Sequence, residues 1–201
     1  LREDFPPLKT LDSRPNNLLV QLTNFIGREE EMMHVKKLLN QTRLLTLIGP
    51  GGTGKTRVAL QIAADILDNF ANGVWFVELA GLSDSSLLSE SIMKSMGIKE
   101  QPMQTFDETL CEYLKDKEAL VVLDNCEHIN ESCAKVSVML LQSSPKLKII
   151  ASSRESLRIN GEQTHQVSPL AFPDPNDNNS PEKLSQYESV RLFIERALSV
   201  D

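Results

Sequence analysis

At 201 residues, with 40% hydrophobic and 24% charged side chains, the chain is long enough for one domain with a substantial core and has the composition of a globular protein. A net charge of −7 argues against a surface that grips nucleic acid, and no apolar run reaches the roughly 20 residues that span a bilayer. The spacings of Cys111, Cys126 and Cys133 match no metal or redox motif, and the odd number points to a reducing, cytoplasmic setting. The chain begins at Leu1 and stops at Asp201 within a helical pattern, so it is read as a segment of a longer polypeptide.

Residues 1–24 read as a tether. Pro6, Pro7 and Pro15, with Asn16 and Asn17, break any periodic pattern and favour extended backbone. A helix is expected over 29–40, with Met32, Val35, Leu38 and Leu39 on one face. Its first turn holds Glu29, Glu30 and Glu31, where negative charge suits the helix dipole. A core strand over 43–48 leads into Gly49-Pro50-Gly51-Gly52-Thr53-Gly54-Lys55-Thr56. The helix leaving it, 55–69, has the apolar stripe Val58, Ala59, Ile62, Ala63, Ile66 and Leu67.

Gly73 introduces a strand over 74–79, in which Trp75 reads as core. A helix over 85–96 ends at Gly97, and Thr105 with Glu108 has the spacing of a capping box that opens another helix. Cys111 and Cys133 fall on helical patterns and are expected to be buried thiols. The continuous apolar run 119–123, closed by Asp124, fits a strand buried on both faces. A helix over 130–143 stops before Pro145, and the strand 147–151 runs into Ser152-Ser153-Arg154. Residues 163–168 add a short last strand. The stretch 171–186, rich in Pro, Asn, Asp and Ser, reads as an exposed linker, and a new helix begins at Tyr187. Strand patterns alternating with helical ones predict a parallel α/β sheet.

The loop at 49–56 fits G-x-x-x-x-G-K-[ST] in the strand–loop–helix context this motif requires. Its glycines bring backbone N–H groups close to phosphate oxygens, and the positive end of the next helix completes an anion site. Lys55 would reach the β- and γ-phosphates, and the Thr56 hydroxyl would ligate Mg²⁺. The nucleotide-binding stretch is read as Gly49, Pro50, Gly51, Gly52, Thr53, Gly54, Lys55, Thr56 and Arg57. Asp124 ends a strand at the edge where parallel sheets bind ligands, and is expected to be the second Mg²⁺ group. Arg154 ends the neighbouring strand pattern, in reach of a γ-phosphate. A turn-forming aspartate and a surface arginine are the plainer alternatives for these two.

Taken in order, Asn24-Phe25-Ile26-Gly27-Arg28-Glu29, the loop at 49–56, Val122-Leu123-Asp124-Asn125-Cys126-Glu127-His128 and Ala151-Ser152-Ser153-Arg154-Glu155 resemble the four blocks of STAND-class, NB-ARC-like signalling ATPases. Gly73-Val74-Trp75-Phe76-Val77-Glu78-Leu79 and Glu188-Ser189-Val190-Arg191-Leu192-Phe193 are similar to stretches of bacterial regulators of this class. The match covers about 23–198. It implies a P-loop NTPase three-layer sandwich, with a mainly parallel sheet of about five strands in the order 5-1-4-3-2. The implied organisation is a tether over 1–24, a nucleotide-binding domain over 25–170, a linker over 171–186 and the start of a helical subdomain over 187–201.

The resemblance implies ATP or ADP with Mg²⁺ as ligands. Residues matching Phe25, Ile26, Gly27 and Arg28 hold the adenine and ribose side. Lys55, Thr56 and Asp124 handle phosphate and metal, and Arg154 senses the γ-phosphate. Many relatives carry a second acid after the metal-binding one; here that position is Asn125, which cannot take a proton from water as a carboxylate can. Glu127 is the candidate substitute in a catalytic set with Lys55, Asp124 and Arg154, a surface acid being its alternative. His128 reads as a structural loop histidine. The stretch 4–12 is similar to a segment that joins a class III nucleotide cyclase domain to such an ATPase in some bacterial proteins. A DNA-binding domain upstream is the alternative, and helical, winged-helix or repeat domains are implied downstream.

These readings predict an ATP/ADP switch domain of a multidomain signalling or transcription-regulating protein, hydrolysing ATP slowly with Mg²⁺. A nucleotide-gated module without turnover stays open, because of Asn125. A small-molecule kinase is less favoured, since no Arg-rich lid stretch is present. No Asn-Lys-x-Asp motif supports a GTPase, and no Leu-Ser-Gly-Gly-Gln-like signature supports a transporter ATPase. Direct contact with nucleic acid or membrane is not expected of this segment; nucleotide-dependent assembly is implied by the resemblance alone.

Overall fold

In the computed structural model, which describes residues 14–19, 23–174 and 180–198, the apolar runs form a single five-stranded sheet. Its strands are β1 (Leu44–Ile48), β2 (Val74–Glu78), β3 (Leu120–Asp124), β4 (Lys148–Ser153) and β5 (Glu162–Gln166). They lie in the order β2-β3-β4-β1-β5 with every neighbouring pair parallel, which is the expected 5-1-4-3-2 order read from the other edge. The stretch 4–12, similar to a cyclase-linked tether, lies outside the described residues.

Side chains alternate across the sheet with the period of two that a pleated strand imposes. Leu45, Leu47, Phe76, Leu120, Val122 and Ile150 pack beneath α1 (Glu29–Gln41) and α2 (Lys55–Asp65). Leu44, Val77, Val121, Leu123, Ile149 and Ala151 face α3 (Leu88–Ser95), α4 (Phe106–Leu114) and α5 (Asn130–Ser143). The result is a helix–sheet–helix sandwich, followed by α6 (Pro181–Leu184) and α7 (Glu188–Leu198). Because β3 has helices on both faces, all five of its residues are buried, as its unbroken apolar run requires.

Both edges are managed. β5, Glu-Gln-Thr-His-Gln, is polar and largely exposed, a composition that discourages edge-to-edge pairing. The outer edge of β2 is covered by part of the segment read as a tether. Asn16 bridges to Val74, while the Asn17 side-chain amide donates to the Phe76 carbonyl at 2.8 Å and accepts the Phe76 N–H at 2.6 Å.

Helix ends follow local chemistry. Thr105 and Glu108 form the capping box, and Gly97, at φ 68°, lets Ile98 N–H reach the Met93 carbonyl at 2.9 Å. Two expected helices are shorter in α geometry than their apolar patterns suggest. α2 stops at Asp65 before a 3₁₀ turn, Leu67–Asn69, and α3 is preceded by a 3₁₀ turn, Ser85–Leu87, capped by Asp84. Cys111 is half-buried rather than buried, because Leu110 and Leu114 take the core-facing stripe of α4. Cys133 and Cys126 are buried free thiols. Trp75 is half-buried against the core, as its strand position suggests.

Candidate functional site

A parallel sheet brings the C-terminal ends of its strands to one edge, where its loops can converge. The 49–54 loop leaves β1 there, Asp124 closes β3, and Ser152 and Ser153 close β4 just before Arg154. Leu123 is registered with Ala151, so Asp124 and Ser152 come side by side.

The loop enters α2 through Gly54 at φ 87°, a left-handed backbone that a side chain would strain. Lys55, the first residue of α2, is 8% exposed, and its Nζ donates to the carbonyls of Gly49 and Pro50 at 2.9 and 3.0 Å. Its charge is thereby fixed at the loop itself. Pro50, Gly51 and Gly52 are exposed, and nothing lies within 4 Å of where a Cβ on Gly52 would stand. Thr53 is buried, with its hydroxyl donating to the Pro50 carbonyl at 3.0 Å.

The Thr56 hydroxyl lies 2.9 Å from each oxygen of Asp124, whose residue is only 6% exposed. Asp124 Oδ1 also accepts from the Ser152 hydroxyl at 2.5 Å, and Ser152 Oγ in turn accepts the N–H of Asn125 at 2.9 Å. Ser152 was missed in the sequence; registering β3 against β4 is what reveals it. Two hard oxygen donors beside an anion-binding loop suit Mg²⁺, which takes one or two protein oxygens and completes its octahedron with water and phosphate. No cluster of three or more His, Cys, Asp or Glu forms a cation cage among the described residues.

Asn125 occupies a left-handed turn at φ 69°, a conformation asparagine tolerates. Past it, Glu127 is brought back towards β4: Arg154 Nε donates to Glu127 Oε1 at 3.2 Å. Glu127 Oε2 is buried without a hydrogen-bond partner. The Arg154 side chain is 68% exposed, and one of its terminal nitrogens lies 3.9 Å from where a Cβ on Gly51 would stand. Arg154 therefore spans from Glu127 to the 49–56 loop. The His128 ring nitrogen sits 3.0 Å from the Leu82 carbonyl, a loop-bracing contact. The Cys126 thiol is raised well above its usual range, first by its contact with Cys133, then by burial and by the nearby Asp124 and Glu127.

The 25–28 stretch lies against the same loop. Phe25 and Ile26 are half-buried, and Gly27 and Arg28 are left-handed at φ 69° and 65°. The Arg28 guanidinium donates to the carbonyls of Thr53 at 2.7 Å and Ser168 at 2.9 Å, and pairs with Glu31 at 2.5 Å. The other Glu31 oxygen is 3.0 Å from His165 on β5. Arg57 donates to the carbonyls of Thr23 and Asn24 at 3.1 and 3.0 Å, bracing the approach to this stretch. Burial and nearby Arg196 lower its pKa, against the pull of Glu195. Both arginines are thus tied to backbone carbonyls. Ser168 carried no sequence signal of its own, and Glu31 stood out only as one of three acids in the first turn of α1.

The NB-ARC domain model matches residues 28–171. The chain is 37% identical over 179 residues to an uncharacterized protein of Mycobacterium tuberculosis, covering 89% of this chain and 42% of that protein. It is 36% identical over 166 residues to a candidate HTH-type transcriptional regulator of the same species, covering 83% of this chain and 17% of that protein. The chain therefore spans less than half the length of either relative. In fold it is similar to a signal transduction ATPase with numerous domains (STAND) with a tetratricopeptide repeat sensor, from Pyrococcus horikoshii. That likeness has a TM-score of 0.54 at 16% identity, over 89% of this chain and 29% of the other. It is also similar to the Aeropyrum pernix ORC2 protein, in ADPNP-ADP complexes, with a TM-score of 0.51 at 15% identity over 74% of this chain and 49% of that one.

Proposed function

Because this chain belongs to the NB-ARC domain family, we propose that it is the ATP/ADP switch of a larger regulatory protein and hydrolyses ATP slowly with Mg²⁺. One observation carries the reading: Thr56 and Asp124 meet at 2.9 Å beside a loop whose lysine is buried against it. Loop N–H groups and the positive end of α2 would hold the phosphates, with Lys55 moving from loop carbonyls to phosphate oxygens. Thr56 and Asp124 would hold Mg²⁺, which neutralises charge on the β- and γ-phosphates. Phe25, Ile26, Gly27 and Arg28 would border the base and ribose, Arg28 by shaping the loop.

Arg154 is the γ-phosphate sensor in this reading. A γ-phosphate competes with Glu127 for its guanidinium, so ATP draws Arg154 off Glu127 and ADP returns it. The freed Glu127 can then accept a proton from water, a task Asn125 cannot perform. The difference between the two nucleotides biases later subdomains. α7 leaves Phe193 and Leu198 exposed at 74% and 73%, an apolar face suited to further helical chain beyond the linker. An upstream cyclase or DNA-binding domain supplies the output; likeness to the HTH-type regulator favours the transcriptional one. No helix among the described residues is long and apolar enough to cross a membrane.

Multiple-turnover phosphate release from the full-length protein tests this, beside Lys55→Ala. The variant is expected to lose at least about tenfold in both Mg-ATP affinity and turnover, since a charge-assisted phosphate contact is removed. Equal rates in the two proteins refute the ATPase. Tight Mg-ATP retention without turnover gives the second reading, a nucleotide-gated module, which Asn125 favours.

A further inference from the structure

The loop at 25–28 is closed by a residue 160 positions away. Glu188, the first residue of α7, accepts the backbone N–H of Arg28 through Oε1 at 2.7 Å. The turn it closes is left-handed at both Gly27 and Arg28, and a Cβ on Gly27 would overlap the Glu188 carboxylate. Only glycine lets this carboxylate approach. Arg28 carries the contact inward, its guanidinium donating to the Thr53 carbonyl of the phosphate loop at 2.7 Å. A single path of short hydrogen bonds therefore joins α7 to that loop.

We propose that Glu188 is a positioning residue for nucleotide binding. Its carboxylate holds the 27–28 turn in the left-handed form from which Arg28 grips the phosphate loop, so α7 docking and nucleotide affinity rise together. The proposal rests on the reading of 25–28 and 49–56 as the nucleotide site. Two physical arguments support it. An ionised acceptor on a backbone N–H makes a stronger bond than a neutral one. A left-handed turn at a residue other than glycine persists only where its surroundings over-determine it, and here Glu188 supplies one constraint and the guanidinium partners of Arg28 the others. Reciprocity follows: a nucleotide on the loop must favour docking of α7 by the factor by which docked α7 tightens the nucleotide.

The test uses the full-length protein as wild type, Glu188→Ala and Glu188→Gln. A fluorescent ADP analogue with Mg²⁺ reports affinity, and hydrogen exchange of residues 25–32 and of α7 is followed with and without Mg-ADP. Glu188→Ala is expected to weaken binding about tenfold, speed exchange over 25–32 and abolish nucleotide-dependent protection of α7. Glu188→Gln keeps an acceptor oxygen and should recover most of the affinity. Gly27→Ala serves as a cross-check. Its backbone strain is common to both backgrounds, so the loss it causes should be smaller in Glu188→Ala, where the added methyl has room. Equal affinity in wild type and Glu188→Ala, strict additivity with Gly27→Ala, or α7 exchange blind to nucleotide each overturn the proposal while leaving the nucleotide site standing. A wild type that binds no Mg-ADP, with 25–32 still protected by Glu188, instead removes the nucleotide site and the coupling with it.

Discussion

On the proposed function, Asn125 is the side chain that would set the pace of the switch. Its backbone is held by Ser152 beside the buried Asp124, where a carboxylate would be placed to polarise water, but an amide cannot take the proton. Asn125→Asp fits the same left-handed turn, since aspartate also tolerates it. It is expected to raise phosphate release at least about tenfold with little change in nucleotide affinity. Single-turnover kinetics with Mg-ATP measure this; an unchanged rate would leave water activation with Glu127 alone. Glu127, the base of the proposed reaction, has one oxygen on Arg154 and the other buried without a partner. Contact with Cys133, then burial, pushes the neighbouring Cys126 thiol up, which favours its protonated form.

Among the elements, the outer edge of β2 is the one whose protection comes from a distance. Gly73, at φ 93°, turns the chain into β2 so closely beneath Pro15 that a Cβ would overlap the Pro15 carbonyl, which itself accepts the Val74 N–H at 3.1 Å. Gly73→Ala must therefore strain the turn and displace the 14–17 segment. The expected loss is about 2–4 kcal/mol, summing left-handed strain with overpacking. Urea denaturation measures it, and a midpoint equal to wild type would mean that the segment lifts away without cost. On the opposite edge no such cover is needed, because β5 is polar along its length. Between these edges, α2 links core to chemistry: its stripe is buried while Lys55 and Thr56 begin its first turn.

For the molecule as a whole, bound nucleotide should act as a staple, since the proposed site joins β1, β3, β4 and the 25–28 loop. Mg-ADP at about a hundredfold excess over its Kd is expected to stabilise the folded state by about 2.7 kcal/mol, raising the melting temperature by roughly 5–10 °C for a chain of this size. Differential scanning calorimetry with Mg-ADP, and again with EDTA added, checks both ligand and metal; no shift in either would remove the staple. The sheet order and layering were implied by the family resemblance, but the strand–helix alternation and the placement of Lys55, Thr56 and Asp124 on one edge were legible in the sequence by itself. The reason is that these last depend on patterns within a few residues: a glycine loop between a strand and a helix, an apolar run closed by an acid, a capping pair. Ser152 against Asp124, Glu188 over Gly27, and Arg28 on Thr53 were decided only by tertiary structure. Such contacts join residues 28, 161 and 25 positions apart through strand register and helix docking, and no local spacing encodes them.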